Sequence, residues 1–377
     1  MKKFFLTILI SFLAVTSANT QTKIEVGIAG DFYYATDNDK SVKLEERPFT
    51  SANIFKDRFG TNNVVLNASV TNADWRTNLA VATFGDFILP EEINLGLRLF
   101  EKLWITGGLY ANWDDDYTFE KWFTENSLTY LRNMGSPYVS WGLEYSLFED
   151  IVLGAGIMNT GFIDIFEHYN KRLFGINLDN NHSKSFYAKV NMNNLYEDWS
   201  FALSYLTGND EDDKEQQINI TEIYATAGGT IIDNLEAQIA GKYFRDVVNN
   251  DSTYDINTIT FSASLRYRFH EKFAAGIRFS YLTEGKYGPI FDKTPDDDDP
   301  YNTHPGNNSG IDFNILCEYN PSPFTYLRLE GGVLSLSNSE KVDYAKRFWN
   351  GKEDVSTRLS IAISMGFRFG LFQTEIK

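Results

Sequence analysis

The segment that most constrains the fold is Asp354–Phe369, near the end of the chain. Its residues alternate between large apolar side chains and polar or small ones. One set is Leu359, Ile361, Ile363, Met365, Phe367 and Phe369, and the other is Arg358, Ser360, Ala362, Ser364, Gly366 and Arg368. A period of two is typical of a β-strand whose two faces meet different surroundings. The pattern therefore predicts a strand with one apolar face and one polar face.

The same alternation recurs along the whole chain and predicts about sixteen strands. The predicted strands are Ile24–Tyr34, Asn63–Val70, Arg76–Phe84, Ile93–Phe100, Leu103–Tyr110, Tyr138–Phe148, Ile151–Asn159, Phe186–Met192, Ser200–Leu206, Glu222–Ile232, Leu235–Tyr243, Thr258–Phe269, Phe273–Leu282, Ile311–Tyr319, Tyr326–Leu334 and Asp354–Phe369. The polar faces carry small residues, which would keep a lumen open where a packed core would need large ones. No sequence repeat of 20–50 residues appears, which disfavours a propeller or solenoid.

The connections between these strands alternate between short turns and long segments. The long ones are Ala35–Asn62, Gly85–Glu92, Ala111–Pro137, Thr160–Ser185, Thr207–Thr221, Phe244–Asn257, Thr283–Gly310 and Ser335–Glu353. Outer-membrane barrels have short periplasmic turns, long extracellular loops and an even number of strands. The sequence therefore predicts an all-β fold, a closed antiparallel transmembrane β-barrel in which the last strand pairs with the first.

The N-terminus predicts export. Lys2 and Lys3 precede an apolar stretch from Phe4 to Val15, which is too short to span a bilayer, and small residues follow it. We expect residues 1–18 to be a cleaved signal peptide and residues 19–377 to form the barrel, with cleavage after Gln21 as a second option.

The net charge of −17 argues against a nucleic-acid partner, and a lone Cys317 excludes an internal disulfide.

Two charged sets are candidate pore-lining residues. Seven arginines fall on the predicted inward faces: Arg98, Arg266, Arg268, Arg278, Arg328, Arg358 and Arg368. The segment Ala111–Pro137 supplies five acids: Asp114, Asp115, Asp116, Glu120 and Glu125. If this loop enters the lumen, opposed charges across a narrow passage would orient polar solutes and set ion preference. The alternative is that the arginines only pair with lumenal acids such as Glu144 and Glu330, and that the loop is a solvated surface loop.

Other features carry weaker predictions. The acidic run Asp296–Asp299 could bind a divalent cation, although such a run in an outside loop is usually only solvated. The four histidines, His168, His182, His270 and His304, are not spaced to pair with a serine nucleophile and an aspartate. We therefore expect no enzymatic activity, no cofactor and no metal centre.

Several short motifs resemble one known family. They are Glu46-Arg47-Pro48-Phe49, Leu103-Trp104, Gly107-Gly108-Leu109, Glu120, Asn126-Ser127-Leu128-Thr129, Ser136-Pro137-Tyr138, Gly142, Asn159 and Gly161. The chain is similar through them to the putative β-barrel porin-2, OmpL-like family of Gram-negative outer membranes. The resemblance implies a channel-forming outer-membrane barrel without catalytic residues. One departure is that the residues Gln373–Lys377 follow the last aromatic residues, so the aromatic insertion signal is internal.

The resemblance also sets the expected partners and function. We expect passive diffusion of small hydrophilic solutes and ions, with contacts to outer-membrane lipid, lipopolysaccharide and the barrel-insertion machinery. The placement of the acidic loop also resembles sixteen-stranded general porins, where the corresponding loop folds into the pore; such porins commonly form homotrimers. Two alternatives stay open. One is a substrate-specific channel for an oligosaccharide or an organic anion, which lumenal aromatic residues would favour. The other is a plugged structural or adhesive barrel.

Overall fold

The structure is a computed structural model. It describes residues 22–38, 58–61, 64–84, 87–110, 122–123, 138–158, 184–195, 198–211, 217–249, 254–285, 287–288, 304–305, 308–338, 348–349, 352 and 354–376. All regular elements among these residues are β-strands. Within the described part of the chain, no helix is long and apolar enough to cross a membrane.

Sixteen strands build one closed sheet. They are β1 (Thr22–Asp37), β2 (Val64–Thr71), β3 (Trp75–Phe84), β4 (Phe87–Phe100), β5 (Leu103–Tyr110), β6 (Tyr138–Phe148), β7 (Ile151–Met158), β8 (Ser185–Met192), β9 (Ser200–Glu211), β10 (Gln217–Ile232), β11 (Leu235–Asn249), β12 (Tyr254–His270), β13 (Phe273–Glu284), β14 (Asn308–Ser322), β15 (Thr325–Asn338) and β16 (Thr357–Ile376). Three shorter strands extend the same sheet: Arg58–Thr61, Tyr287–Gly288 and His304–Pro305. Two others, Phe348–Trp349 and Asp354–Val355, pair with each other in a separate sheet.

Each barrel strand pairs antiparallel with its neighbours in the sequence, and β16 closes the ring by pairing with β1. The closing ladder runs from Asp37 opposite Ser360 to Thr22 opposite Ile376. A closed ring leaves no long unpaired edge, which is the condition for a sheet to lie in lipid. The predicted closed barrel of sixteen strands is confirmed.

The two faces of the sheet differ as the alternation predicted. In β16 the side chains of Arg358, Ala362 and Ser364 are buried inside the barrel. Their neighbours Leu359, Ile361 and Met365 are more than half exposed on the outside. Large apolar side chains exposed in this way form a continuous outer surface that suits hydrocarbon rather than water.

Aromatic side chains surround the barrel at the ends of the strands that meet in short turns. Phe100 and Phe148 are the most exposed of these. Between β12 and β14, the ring of Phe273 stacks on Tyr319 with centroids 4.8 Å apart and on Phe269 at 6.2 Å. Aromatic girdles of this kind mark the height of the membrane interface.

The short turns are held by local hydrogen bonds. Asn72 accepts hydrogen bonds at Oδ1 from the N–H groups of Asp74 and Trp75, at 2.8 and 2.9 Å. In the turn between β8 and β9, the backbone N–H of Thr230 donates to Asp198 Oδ1 at 3.0 Å, and the Thr230 hydroxyl donates to Oδ2. These bonds favour the charged carboxylate, so they lower the pKa of Asp198 below its ordinary value.

The expected long connection Gly85–Glu92 is wrong. The ladder between β3 and β4 continues until Phe84 pairs with Phe87, so only two residues separate the strands. Pro90 and two acids made this segment look like a loop. The sheet instead absorbs one extra residue at an irregularity between Ala80 and Val81, where Pro90 can be tolerated.

Two further boundaries differ from the prediction. Gln373–Ile376 are not a tail, because they continue β16 and pair with Thr22–Glu25. Pro321 does not end its strand, because β14 runs to Ser322 and its register shifts between Tyr319 and Ser322. Both differences arise from tertiary pairing, which extends strands beyond the segments where the alternation is clear.

Candidate functional site

The seven predicted arginines occupy two levels on the inward face. Arg266, Arg278, Arg328 and Arg358 lie within their strands, and each is at most 4% exposed. Arg98, Arg268 and Arg368 lie close to the short turns and are exposed. The predicted arginines therefore form a buried layer within the strands and an exposed rim near the short turns.

Three of the buried arginines, Arg266, Arg278 and Arg328, are paired with acids on adjacent or nearby strands. Glu318 on β14 accepts hydrogen bonds from Arg328 Nε at 2.6 Å and from Arg266. Arg266 also contacts Glu236 at 3.1 Å, and Arg278 contacts Asp312 at 3.2 Å. Removal of these charges from water is costly unless each has a hydrogen-bonded partner, which explains why acids and arginines alternate here.

The rim arginines are paired more loosely. Arg98 contacts Asp74 at 2.8 Å across the turn end of β3 and β4. Arg268 contacts the same Glu236 at 3.4 Å. Ion pairs in this exposed setting are screened and contribute little to stability.

Two residues of the segment Ala111–Pro137 lie against the inward wall. The Arg266 guanidinium is 5.9 Å from the ring centroid of Trp122, and the Arg278 guanidinium is 4.8 Å from that of Phe123. Both rings are about 5% exposed and pack with Leu316 of β14. Cation–π contacts and apolar burial therefore hold this part of the segment inside the barrel. The predicted acids Asp114, Asp115, Asp116, Glu120 and Glu125 lie outside the described residues.

A second charged cluster lies on β3 to β8. Glu144, which the sequence placed inward, pairs with Arg76 and with Lys189 at 3.2 Å. The Arg76 guanidinium also lies 4.9 Å from the ring centroid of Trp104. Sequence reasoning did not select Arg76 or Lys189, although both fall on the polar face of their strands. It could not show that side chains from β3 and β8 meet at β6.

Glycines make room for this cluster. A Cβ atom at Gly96 would lie 3.0 Å from Arg76, and one at Gly154 would lie 2.9 Å from Lys189. Cβ atoms at Gly142 and Gly156 would collide with the ring of Tyr187. Because these four inward positions lack side chains, the long side chains of neighbouring strands lie flat along the wall.

Apolar and aromatic side chains also face inwards, which the sequence reasoning missed. Leu206, Ile220, Phe244 and Leu282 are at most 1% exposed. Tyr33, Trp104, Tyr187 and Tyr224 are aromatic residues on inward faces. On β10 and β11, Lys242 pairs with Glu222, and both are buried. The inward face is therefore a mixture of ion pairs, hydroxyl groups and apolar side chains.

The residues that bear on catalysis or metal binding are distributed as follows. His270 ends β12, where its Nδ1 accepts a hydrogen bond from the Lys272 N–H at 3.2 Å. His168, His182 and Asp296–Asp299 lie outside the described residues. Where the chain is described, no three His, Cys, Asp or Glu residues are grouped as metal ligands.

Solved structures with the same architecture are outer-membrane proteins. The outer-membrane channel DcaP of Acinetobacter baumannii matches with a TM-score of 0.62 and 9% identity, over 94% of this chain and 99% of its own. The anion-selective porin from Comamonas acidovorans matches with a TM-score of 0.57 and 11% identity, over 92% and 100%. OmpT of Vibrio cholerae in its trimer form matches with a TM-score of 0.56 and 12% identity, over 92% and 99%. A search of curated proteins finds no match.

The family assignment comes from the sequence. The model of the family described as "Putative beta-barrel porin-2, OmpL-like" matches residues 23–369, which is nearly the whole chain. This confirms the resemblance, and the family and fold are those of an outer-membrane channel rather than an enzyme. The chain belongs to the OmpL-like beta-barrel porin-2 family and is an outer-membrane porin.

Proposed function

We propose that this porin passes small hydrophilic solutes and ions by passive diffusion. The observation that carries the proposal is the sidedness of the closed sheet, which is apolar outside and has ion pairs and hydroxyl groups inside. A lumen lined in this way lowers the cost of moving a polar solute through the hydrocarbon layer. No gating or energy input is needed for this transport.

We further propose that the loop between β5 and β6 narrows the lumen. The contacts of Trp122 and Phe123 with Arg266 and Arg278 support this, because they hold part of the loop within the barrel. The candidate lining residues are the exposed arginines Arg98, Arg268 and Arg368 and the loop acids Asp114, Asp115, Asp116, Glu120 and Glu125. The other four arginines selected from the sequence, Arg266, Arg278, Arg328 and Arg358, are at most 4% exposed and would not meet the solute. Acids on the narrowing loop would favour cations over anions.

Single-channel conductance in a planar bilayer with a salt gradient tests both statements. We expect steady openings from the refolded wild-type protein, whereas a folded barrel without conductance would contradict passive diffusion. Replacement of Asp114, Asp115 and Asp116 by Asn should shift the reversal potential away from cation preference. An unchanged reversal potential would remove these acids from the conduction path.

A substrate-specific channel is the second candidate. The inward Trp104, which is only partly buried and lies 4.9 Å from the Arg76 guanidinium, favours it, because a flat apolar ring beside a charged group suits solutes with both a ring face and polar groups. Conductance that saturates and is blocked by an added oligosaccharide or organic anion would distinguish this candidate from simple diffusion.

We also propose that the protein matures by signal-peptide cleavage and assembles as a homotrimer. Residues 1–18 act as a signal peptide and residues 19–377 form the exported barrel, which contacts lipopolysaccharide and the insertion machinery. The trimer form of the Vibrio cholerae protein supports a homotrimer. The intact mass of protein from outer membranes, and its mass in native detergent complexes, would test cleavage and assembly respectively.

A further inference from the structure

The charged groups in the barrel differ greatly in their access to the lumen. The side chains of Arg76 and Lys189 are 38% and 27% exposed. In contrast, the side chains of Arg266, Arg328 and Glu318 are at most 5% exposed. We call the inward faces of β3 to β8 the exposed wall. The inward faces of β10 to β15, apart from the rim at the short turns where the side chains of Arg268 and Glu236 are partly exposed, form the covered wall.

Arg76 lies one residue from the turn end of β3, so its position contributes to its exposure. Position along the strand does not explain why the side chains of Lys189 and Glu144 are 27% and 15% exposed when those of Arg266 and Arg328 are at most 5% exposed. Glu144 and Lys189 lie four and three residues from the turn ends of β6 and β8. Arg266 and Arg328 lie four and three residues from the turn ends of β12 and β15. At a comparable depth, the two walls therefore differ in the side chains that pack over them. Trp122 and Phe123 pack over part of the covered wall.

The shape of the exposed wall agrees with an open passage. Gly96, Gly142, Gly154 and Gly156 let the long side chains lie along the sheet instead of across the lumen. The charged ends of Arg76 and Lys189 meet at Glu144, with Trp104 beside them. A solute moving past this surface would meet donors, an acceptor and an aromatic ring together.

We propose that the solute path runs along the exposed wall, and that Arg76, Glu144 and Lys189 contribute to its ion preference together with the loop acids. The proposal rests on the proposed diffusion function and adds residues that determine specificity. The cluster holds two cations, Arg76 and Lys189, around the acid Glu144. The acid Glu92 lies on the same face of β4, where it accepts hydrogen bonds from Asn78 and Asn94, so groups of both signs are present. Small neutral and zwitterionic solutes fit such a surface, and removal of one charged group should change the ion preference of the path.

The charge test uses two matched lysine variants. Lys189 and Lys242 both face inwards and both pair with a glutamate, but Lys242 is only 3% exposed. Lys189→Gln should shift the reversal potential towards cations, and Glu144→Gln should shift it towards anions. Lys242→Gln should leave the reversal potential unchanged. A larger shift for Lys242→Gln than for Lys189→Gln would overturn the proposal.

An accessibility test does not depend on current. In a Cys317→Ser background, Asn78→Cys places a thiol on the exposed wall and Asn314→Cys places one on the covered wall, where Asn314 is 2% exposed. We expect a charged methanethiosulfonate reagent to label Asn78→Cys rapidly and to reduce its current, and to label Asn314→Cys slowly. Labelling measured by mass also separates the two proposals. A barrel that labels as expected but never conducts contradicts diffusion, whereas a conducting barrel with equal labelling contradicts the path.

Discussion

At the residue scale, the inward face of the barrel has two features. It carries charged side chains, and it has glycine positions where a larger residue would collide with its neighbours. The buried Arg266, Arg278 and Arg328 are tolerated because each has an acid within contact distance, as Arg278 has Asp312. The glycines of the exposed wall act differently, since they provide space for side chains from neighbouring strands. Both features follow from contacts between strands, and neither depends on the conformation of one strand alone.

The glycine at position 142 should therefore be sensitive to added volume. A Cβ atom there would lie 2.8 Å from the Ala155 carbonyl oxygen, which cannot move freely, and would also meet Tyr187. We expect Gly142→Ala to lower the free energy of unfolding by about 1–3 kcal/mol, as overpacking typically does. Urea unfolding in lipid vesicles would measure this.

The control for this variant is Gly241→Ala on β11. A Cβ atom at position 241 would meet its nearest neighbour, the Thr260 carbonyl oxygen, at 3.7 Å, which is ordinary contact. We expect its stability to change by less than about 0.5 kcal/mol. Equal effects of the two substitutions would show that crowding against Tyr187 and Ala155 is not the cause.

At the scale of elements, the loop between β5 and β6 is attached to the barrel by two aromatic residues. Trp122 and Phe123 pack on strands that are far from β5 and β6 in the ring. The attachment combines apolar burial against Leu316 with cation–π contacts, so it does not depend on a single hydrogen bond. Trp122, Phe123 and the covered wall should behave as one unit.

Removal of the rings of Trp122 and Phe123 should detach this part of the segment from the covered wall. We expect the double variant Trp122→Ala and Phe123→Ala to keep the barrel folded and to show larger and noisier single-channel currents, because the loop loses its attachment. Phe100→Ala, at an exposed turn position, serves as the control and should conduct like the wild type. Unchanged current amplitude and noise in the double variant would show that this attachment does not restrict the lumen.

At the scale of the whole molecule, closure depends on the first and last strands. The ladder between β1 and β16 is the longest in the barrel, and its final part joins Gln373–Ile376 to Thr22–Glu25. Each backbone hydrogen bond contributes about 1 kcal/mol net, and more where water is scarce. The end of the chain therefore takes part in closing the barrel.

Deletion of Gln373–Lys377 should weaken this closure. We expect the loss of the terminal pairs to lower stability on the order of 2–4 kcal/mol and to reduce the folded fraction. The folded fraction can be measured as the heat-modifiable band after folding into vesicles. Deletion of Lys377 alone is the control, because β16 ends at Ile376. Equal folded fractions for both deletions would show that the terminal pairing is dispensable.

The alternation of side chains along the sequence predicted about sixteen strands and their inward faces, and its recurrence after an export signal, with alternating short and long connections, predicted the closure of the ring. This is because a strand between lipid and a lumen must alternate, and that requirement acts locally. The segment Asp354–Phe369 shows this alternation without reference to any other strand. The connection at Gly85–Glu92 was wrong because Pro90 and the acids there resemble a loop unless the partner strand is known.

Only the tertiary structure decided which inward residues meet and which are covered. Arg76, Glu144 and Lys189 are far apart in the chain and lie on β3, β6 and β8, so no local pattern connects them. Likewise, no spacing indicates that Trp122 and Phe123 cover Arg266 and Arg278. The sequence by itself determined which side of the sheet is polar, because the side chains of each strand alternate between residues suited to lipid and residues suited to the lumen. The arrangement of charges around the lumen depends on contacts across several strands, and those exist only once the barrel has closed.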